Sequence, residues 1–170
     1  LGVEVPVRSL FEHPTVARLA SQLEGQARSS AEPIAVVPRD GELALSFAQQ
    51  RLWFLDQLEP GSPFYNMPAA LRLVGDLDPA ALAQSLSEVV RRHEVLRTSF
   101  PAEAEGHPVQ AVAAAKPLAL PQVDLSGLED PGRREELGRL AAEEARQPFD
   151  LGRGPLLRST LVRLGEREHA

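Results

Sequence analysis

Cysteine is absent from the 170 residues, so the chain has no disulfide framework, no thiolate nucleophile and no cysteine-ligated zinc site. That absence fits a reducing, cytoplasmic setting. Long apolar runs are also missing: none approaches the ~20 residues of a membrane span. Leu1 to Leu10 carry no signal-peptide pattern. Basic residues are outnumbered, 18 Lys+Arg against 24 Asp+Glu, for a net charge of −6. A binder of nucleic-acid backbones needs a basic face, so that class is disfavoured. No G-x-x-x-x-G-K-[ST] or G-x-G-x-x-G turn is present to cradle a phosphate, and no H-E-x-x-H or G-x-S-x-G. His13, His93, His107 and His169 are scattered, with no two at metal-ligand spacing. They are expected to be solvated or capping imidazoles.

What is present is ordinary for a folded chain: 43% hydrophobic and 25% charged residues, with enough length for a sizeable core. Fifteen prolines act as punctuation. Residues 1–24 read as two short helices broken at His13-Pro14, with Thr15 as N-cap and Val16, Leu19, Ala20 and Leu23 on one face. Gly25 is expected to stop the second helix. Residues 25–42 have the small, polar, Pro-containing composition of a linker, with Ile34 to Val37 as a short apolar patch. From Leu43 the periodicity returns. Ser46 and Gln49 form a capping-box pattern for a helix reaching Leu58. Met67 to Val74 alternates like a strand. Asp78-Pro79 opens a helix with Leu82, Leu86, Val89 and Val90 buried. Strands are expected at Leu96–Phe100, Val109–Ala113, Leu120–Leu125 and Leu156–Leu164. A long helix runs from Asp130-Pro131 to Arg146, with Leu137, Leu140, Ala141 and Ala145 facing inward. The order predicts a mixed α/β fold. The last strand meets its turn, Gly165 to Glu168, close to Ala170, so its hairpin partner is expected to be missing. The start at Leu1 and the stop at Glu168-His169-Ala170 read as a piece of a longer protein.

Two stretches are denser than structure alone requires. Ser46-Phe-Ala-Gln-Gln-Arg-Leu-Trp-Phe-Leu55 holds the only Trp, and the only Tyr, Tyr65, follows shortly. As structure, it reads as an amphipathic helix with its aromatics in the core and Gln50 and Arg51 on the wet side. The second stretch is Arg91-Arg92-His93-Glu94-Val95-Leu96-Arg97-Thr98-Ser99-Phe100. Its first cations complement the dipole at a helix C-terminus. Arg97, inside the expected strand, should be partly buried and so requires a carboxylate partner.

Together these stretches resemble the first two core motifs of condensation domains from nonribosomal peptide synthetases. The pattern S-x-A-Q-x-R-L-W-x-L is met by Ser46, Ala48, Gln49, Arg51, Leu52, Trp53 and Leu55. The pattern R-H-E-x-L-R-T-x-F is met by Arg92, His93, Glu94, Leu96, Arg97, Thr98 and Phe100. Pro148-Phe149-Asp150 with Gly154-Pro155-Leu156-Leu157-Arg158 is similar to the family's run before its central motif. Residues 1–24, with Leu10-Phe-Glu-His-Pro-Thr15, resemble the last helices of a peptidyl carrier protein.

The resemblance implies a chloramphenicol acetyltransferase-like α/β fold, of which residues 43–170 would be the N-terminal lobe, behind a linker at 25–42 and a carrier tail at 1–24. It implies amide formation between two thioesters on carrier proteins, each held by a 4′-phosphopantetheine arm. The expected partners are the upstream and downstream carriers and the adenylation domain of one cytoplasmic assembly line, with no nucleic acid, membrane or metal. The family's catalytic motif, His-His-x-x-x-Asp-Gly, does not occur in residues 1–170, and neither does a carrier attachment serine in its Gly-Gly-x-Ser setting. By resemblance, Arg92 pairs with the Asp of that motif and Arg97 is a second structural ion, while Gln49, Arg51 and Trp53 are scaffold near the substrate tunnel. The residues alone point to Arg97 more than to Arg92. An alternative of another class is a degenerate, non-catalytic relative that recruits a partner or gates a carrier. A free acyltransferase using a soluble acyl-CoA shares the fold, but the carrier-like start and linker disfavour it.

Overall fold

The structure, a computed structural model, describes residues 5–24, 35–39, 41–103 and 106–170. The chain divides into two compact units, Leu1–Pro38 and Arg39–Ala170.

In the first unit, helix α1 spans Val7–Glu12 and α2 spans Val16–Leu23. Thr15 caps α2 as its composition predicts: its hydroxyl accepts from the Arg18 amide at 3.3 Å. Leu19 and Leu23 are half-buried, while Val16 and Ala20 of the same stripe are exposed. Gly25 and Ile34 lie outside the described residues.

The second unit opens with helix α3, Phe47–Leu58. Its capping box is complete. The Gln49 amide donates to Ser46 Oγ at 3.3 Å, and the Ser46 amide donates to Gln49 Oε1 at 2.8 Å. The expectation of an aromatic core stripe fails here. No α3 residue is buried, Phe47 is 91% exposed and Phe54 58%, and only Trp53 among the aromatics is half-buried. The reason is geometric: among the described residues the helix is held through Trp53, Gln49 and the half-buried Leu55, while Phe47, Leu52, Phe54 and Leu58 stay exposed.

Strand β1 is only Leu73–Val74. The longer strand expected from Met67 does not form. A strand needs a ladder partner, and β6, Glu168–His169, offers two residues. Met67 and Leu71 are left exposed. Helix α4, Pro79–Arg92, starts where Asp78 accepts from the Ala80 and Ala81 amides at 2.8 and 3.1 Å. Val90 is its buried residue; Val89 faces solvent. The expected strand at Leu96–Phe100 is instead a 3-10 turn, Glu94–Arg97, followed by β2, Thr98–Ser99. Thr98 Oγ1 donates back to the Glu94 carbonyl at 2.8 Å. That bond satisfies a buried hydroxyl by closing the turn, so Arg97 precedes the strand. β2 pairs antiparallel with β3, Ala111–Val112.

The larger sheet runs β1-β6-β5-β4, with β4 at Gln122–Asp124 and β5 at Leu161–Gly165. β4 and β5 are parallel, and the other two pairs are antiparallel. The hairpin partner of β5, expected to be missing, is present. The turn at Glu166-Arg167 returns the chain as β6, and Ala170 and Val162 exchange two backbone bonds of 2.8 Å. β6 also carries His169, which is neither solvated nor capping but 7% exposed. β5 begins at Leu161 rather than Leu156. Helix α5, Asp130–Arg146, covers the sheet. Leu137 and Leu140 pack with Val123 and Ala170 on Leu125, Val162 and Leu164, while Ala141 stays exposed.

Candidate functional site

Three separate stretches meet at the main chain of one residue. The carbonyl of Phe100 accepts from Trp53 Nε1 at 3.1 Å. The amide of the same residue donates to the Leu151 carbonyl at 2.6 Å. Phe100 therefore joins helix α3, the segment leaving α4, and the Pro148–Arg158 run. None of these three is adjacent in sequence, and each contributes through a backbone group or an indole N–H, both strong donors or acceptors that burial obliges to pair.

Neighbouring bonds tighten the junction. Gln49 Nε2 donates to Gln110 Oε1 at 3.4 Å, and Gln110 Nε2 donates to the Ala44 carbonyl at 2.7 Å. Asn66, just beyond α3, donates to the carbonyls of Ala145 and Gln147, both at 2.9 Å. Those are end carbonyls of α5 that have no intrahelical donor. Arg158 serves the same helix end. Its guanidinium donates to Glu144 Oε1 at 2.6 Å and to the Gln147 carbonyl at 2.7 Å, and it lies 3.7 Å over the Phe149 ring. A planar cation satisfies a carboxylate and a π-face together, which an ammonium does not do as well. Asp150 accepts from the Gly152 and Arg153 amides at 2.9 and 3.1 Å, which turns the chain back toward β2. There Gly154 has φ +60°, and a Cβ at Gly154 would stand 3.5 Å from Ser99 Cβ.

The two expected support arginines have different partners. Arg92 is exposed on the last turn of α4, and its Nε donates to Glu88 Oε1 at 2.7 Å. Glu88 also accepts two bonds from Arg91, at 2.7 and 2.8 Å. The Arg91 and then the Arg92 guanidinium hold its carboxyl at a pKa of about 2, below the usual carboxylate range. Arg97 is more enclosed, with its side chain 19% exposed. It donates through Nη1 to the Ala113 carbonyl, and its Nη2 lies 3.7 Å from Glu94 Oε1. Glu94 is the carboxylate neighbour that the sequence left unnamed. Arg51 is exposed and makes no hydrogen bond or ion pair among the described residues. Gln49 and Trp53 are thus brought to the junction; Arg51 is not.

Asp56, near the end of α3, has its pKa raised, first by burial and then by the neighbouring Asp150 carboxylate. Two carboxylates drawn together cannot both ionise without cost. Sequence reasoning missed Gln110, Asn66 and the bridging role of Glu94. Only Glu94 carried a signal, as a motif position. No group of three or more His, Cys, Asp or Glu suited to a metal occurs among the described residues. No described helix is long and apolar enough to cross a membrane.

Comparison with known proteins agrees over most of the chain. The family model for the condensation domain matches residues 39–170. One of the linear gramicidin synthase polypeptides of Brevibacillus parabrevis is 50% identical over 167 residues, 97% of this chain and 3% of that protein. Phosphinothricin tripeptide synthetase PhsC of Streptomyces viridochromogenes is 45% identical over 161 residues, 92% of this chain and 14% of that protein. Among solved structures, the first condensation domain of the CDA synthetase superposes with a TM-score of 0.68 at 29% identity, covering 76% of this chain and 34% of that one. The first condensation domain of the calcium-dependent antibiotic synthetase in complex with a substrate analogue gives a TM-score of 0.67 at 32% identity, covering 76% and 31%. The chain thus spans a small fraction of these synthetases and about a third of the solved chains. Its fold is a partial lobe of the chloramphenicol acetyltransferase-like α/β architecture.

Proposed function

Since this chain belongs to the condensation-domain family of nonribosomal peptide synthetases, we propose that Leu43 to Ala170 form the N-terminal lobe of a domain that makes an amide bond between two carrier-bound thioesters. The amine of the acceptor aminoacyl group attacks the donor thioester carbonyl. A C–N bond forms, the C–S bond breaks, and the proton lost from the amine ends on the released thiol. The thiols belong to 4′-phosphopantetheine arms on carrier proteins, attached at serines outside residues 1–170. The general base is the histidine of a His-His-x-x-x-Asp-Gly motif, also outside these residues. Residues 1–24 are read as the end of the upstream carrier, and 25–42 as its linker. The adenylation domain of the same cytoplasmic assembly line loads the acceptor.

This chain's own contribution is the support around the junction. Trp53 holds α3 against the second motif and Gln49 holds it against Gln110 ahead of β3, and Arg51 completes that scaffold only on contact with other parts of the domain. Arg97 fixes the turn before β2. Arg92 engages Glu88 through Nε alone among the described residues, which leaves its two terminal nitrogens for the Asp of the catalytic motif. The observation that carries the reading is the meeting of all three motif stretches at the Phe100 main chain.

The test uses the whole synthetase with loaded carriers and mass-spectrometric detection of the carrier-bound product. Amide formation is expected in the wild type and lost in Arg92→Ala, with carrier loading unchanged. Residues 1–170 alone are expected to give no product. Wild-type turnover in Arg92→Ala overturns the pairing. A wild-type synthetase that loads its carriers and forms no amide at this module supports the non-catalytic alternative instead.

A further inference from the structure

The second unit begins at Arg39, and its side chain reaches 55 residues ahead in the chain. Arg39 Nε and Nη2 both donate to one oxygen of Glu94, Oε2, at 3.0 and 2.8 Å. The other oxygen, Oε1, is thereby turned toward Arg97 Nη2 at 3.7 Å. Arg97 has few other constraints. Its Nη1 donates to the Ala113 carbonyl, while its Nε is buried without a partner. The backbone around it is tied to the same carboxylate residue by Thr98 Oγ1, which donates to the Glu94 carbonyl, and to the end of β3 by the Ala113 amide, which donates to the Arg97 carbonyl at 3.0 Å. Glu94 is thus a carboxylate shared between the segment that enters the unit and the arginine that shapes the turn before β2.

We propose that Arg39 is a positioning residue: by holding one oxygen of Glu94 with two donors, it sets the other oxygen against Arg97 and so fastens the entry segment to the second motif. The role given to Arg97 rests on the function proposed above; the mechanical link does not. A long-range ion pair at this exposure is modest in strength, so its loss should loosen the 3-10 turn and β2 without unfolding the unit. An ammonium places a single compact charge and does not present the fixed fork of a guanidinium, so Lys should restore only part of the effect.

The test places Arg39→Ala, Arg39→Lys, Glu94→Gln and the Arg39→Ala/Glu94→Gln double variant in the whole synthetase. Two quantities are read: the rate of amide formation at saturating loaded carriers, and hydrogen exchange of peptides covering 95–113 and 161–170. Arg39→Ala is expected to form amide about fivefold more slowly, with Lys between it and the wild type. Exchange should quicken over 95–113 and stay unchanged over 161–170. The double variant should be no worse than the poorer single one, because both remove one interaction. Faster exchange confined to the residues around Arg39, or additive losses in the double variant, overturns the proposal. If the wild-type synthetase makes no amide, the proposed function falls, and the exchange over 95–113 still decides this inference.

Discussion

Trp53→Phe removes one hydrogen-bond donor from the junction and keeps an aromatic ring in its place. The lost contact is the 3.1 Å bond from the indole N–H to the Phe100 carbonyl. A hydrogen bond of this kind contributes a net ~0.5–1.5 kcal/mol, and a carbonyl left buried without a partner costs about 1–3 kcal/mol. Phe100 is half-buried, so water reaches it in part, and the expected penalty is about 1–2 kcal/mol. That raises the local opening constant roughly five- to thirtyfold. Native-state hydrogen exchange reads it directly. The Phe100 amide, bonded to the Leu151 carbonyl, and the Ala113 amide, bonded to the Arg97 carbonyl, should both lose protection by that factor. The Val162 and Ala170 amides bond each other's carbonyls in a separate sheet and share no partner with Trp53, so they serve as controls. If Phe100 and Ala113 exchange at wild-type rates in Trp53→Phe, the three stretches are held together by something other than the Phe100 main chain, and the account of the junction is wrong.

Two further outcomes follow from charge. Asp56 has its pKa raised by burial and by Asp150. A raised folded-state value means that its protonated form is favoured in the folded protein, so its contribution is intact below the ordinary value of 3.8 and is lost as pH rises through the higher folded value. Asp56→Asn should therefore melt higher than the wild type at pH 7, with the difference vanishing toward pH 3; equal melting at both pH values refutes the clash. Glu88 works in the opposite direction: held at about 2 by Arg91 and Arg92, its stabilising contribution is full above 4.5 and lost as pH falls toward 2. Carboxyl-carbon NMR should show Glu88 titrating near 2 in the wild type and closer to its ordinary 4.5 in an Arg91→Gln/Arg92→Gln double variant.

The helices are more legible in the sequence than the strands, and the difference is physical. A helix start is local chemistry: Thr15, Ser46 with Gln49, and Asp78 with Pro79 each satisfy amides within three residues, and each is found doing so. A strand exists only where a distant partner lies alongside. Met67 to Leu71 have the alternation but no ladder, and Glu168–His169 have the ladder without any alternation to announce it. Arg97 is enclosed and has a carboxylate neighbour, as its apolar surroundings in the sequence imply. Yet that neighbour, Glu94, is brought near by a 3-10 turn that the Leu96–Phe100 pattern conceals. The helical spacing of Val16, Phe47 and Phe54 suggests a core, but periodicity shows which residues share a face, not whether anything covers it. Of the candidate site, the motif positions Gln49 and Trp53 are visible in the sequence; Gln110, Asn66 and Arg39, which act across 50 residues or more, are not.

The junction at Phe100 also bears on which substitutions this fold tolerates. Both bonds made there belong to the main chain, one to the amide N–H of residue 100 and one to its carbonyl, and every residue except proline carries both. These two bonds ask nothing of the side chain at position 100, so the joint itself survives its replacement. Trp53 has no such latitude, because no other side chain carries an indole N–H. Mutational fragility is thus displaced from the place where the three segments meet to a partner 47 residues away. A saturation scan read by protection of the amide at position 100 should find the joint kept by replacements at position 100 other than proline, and loosened by every replacement at position 53 that removes the donor.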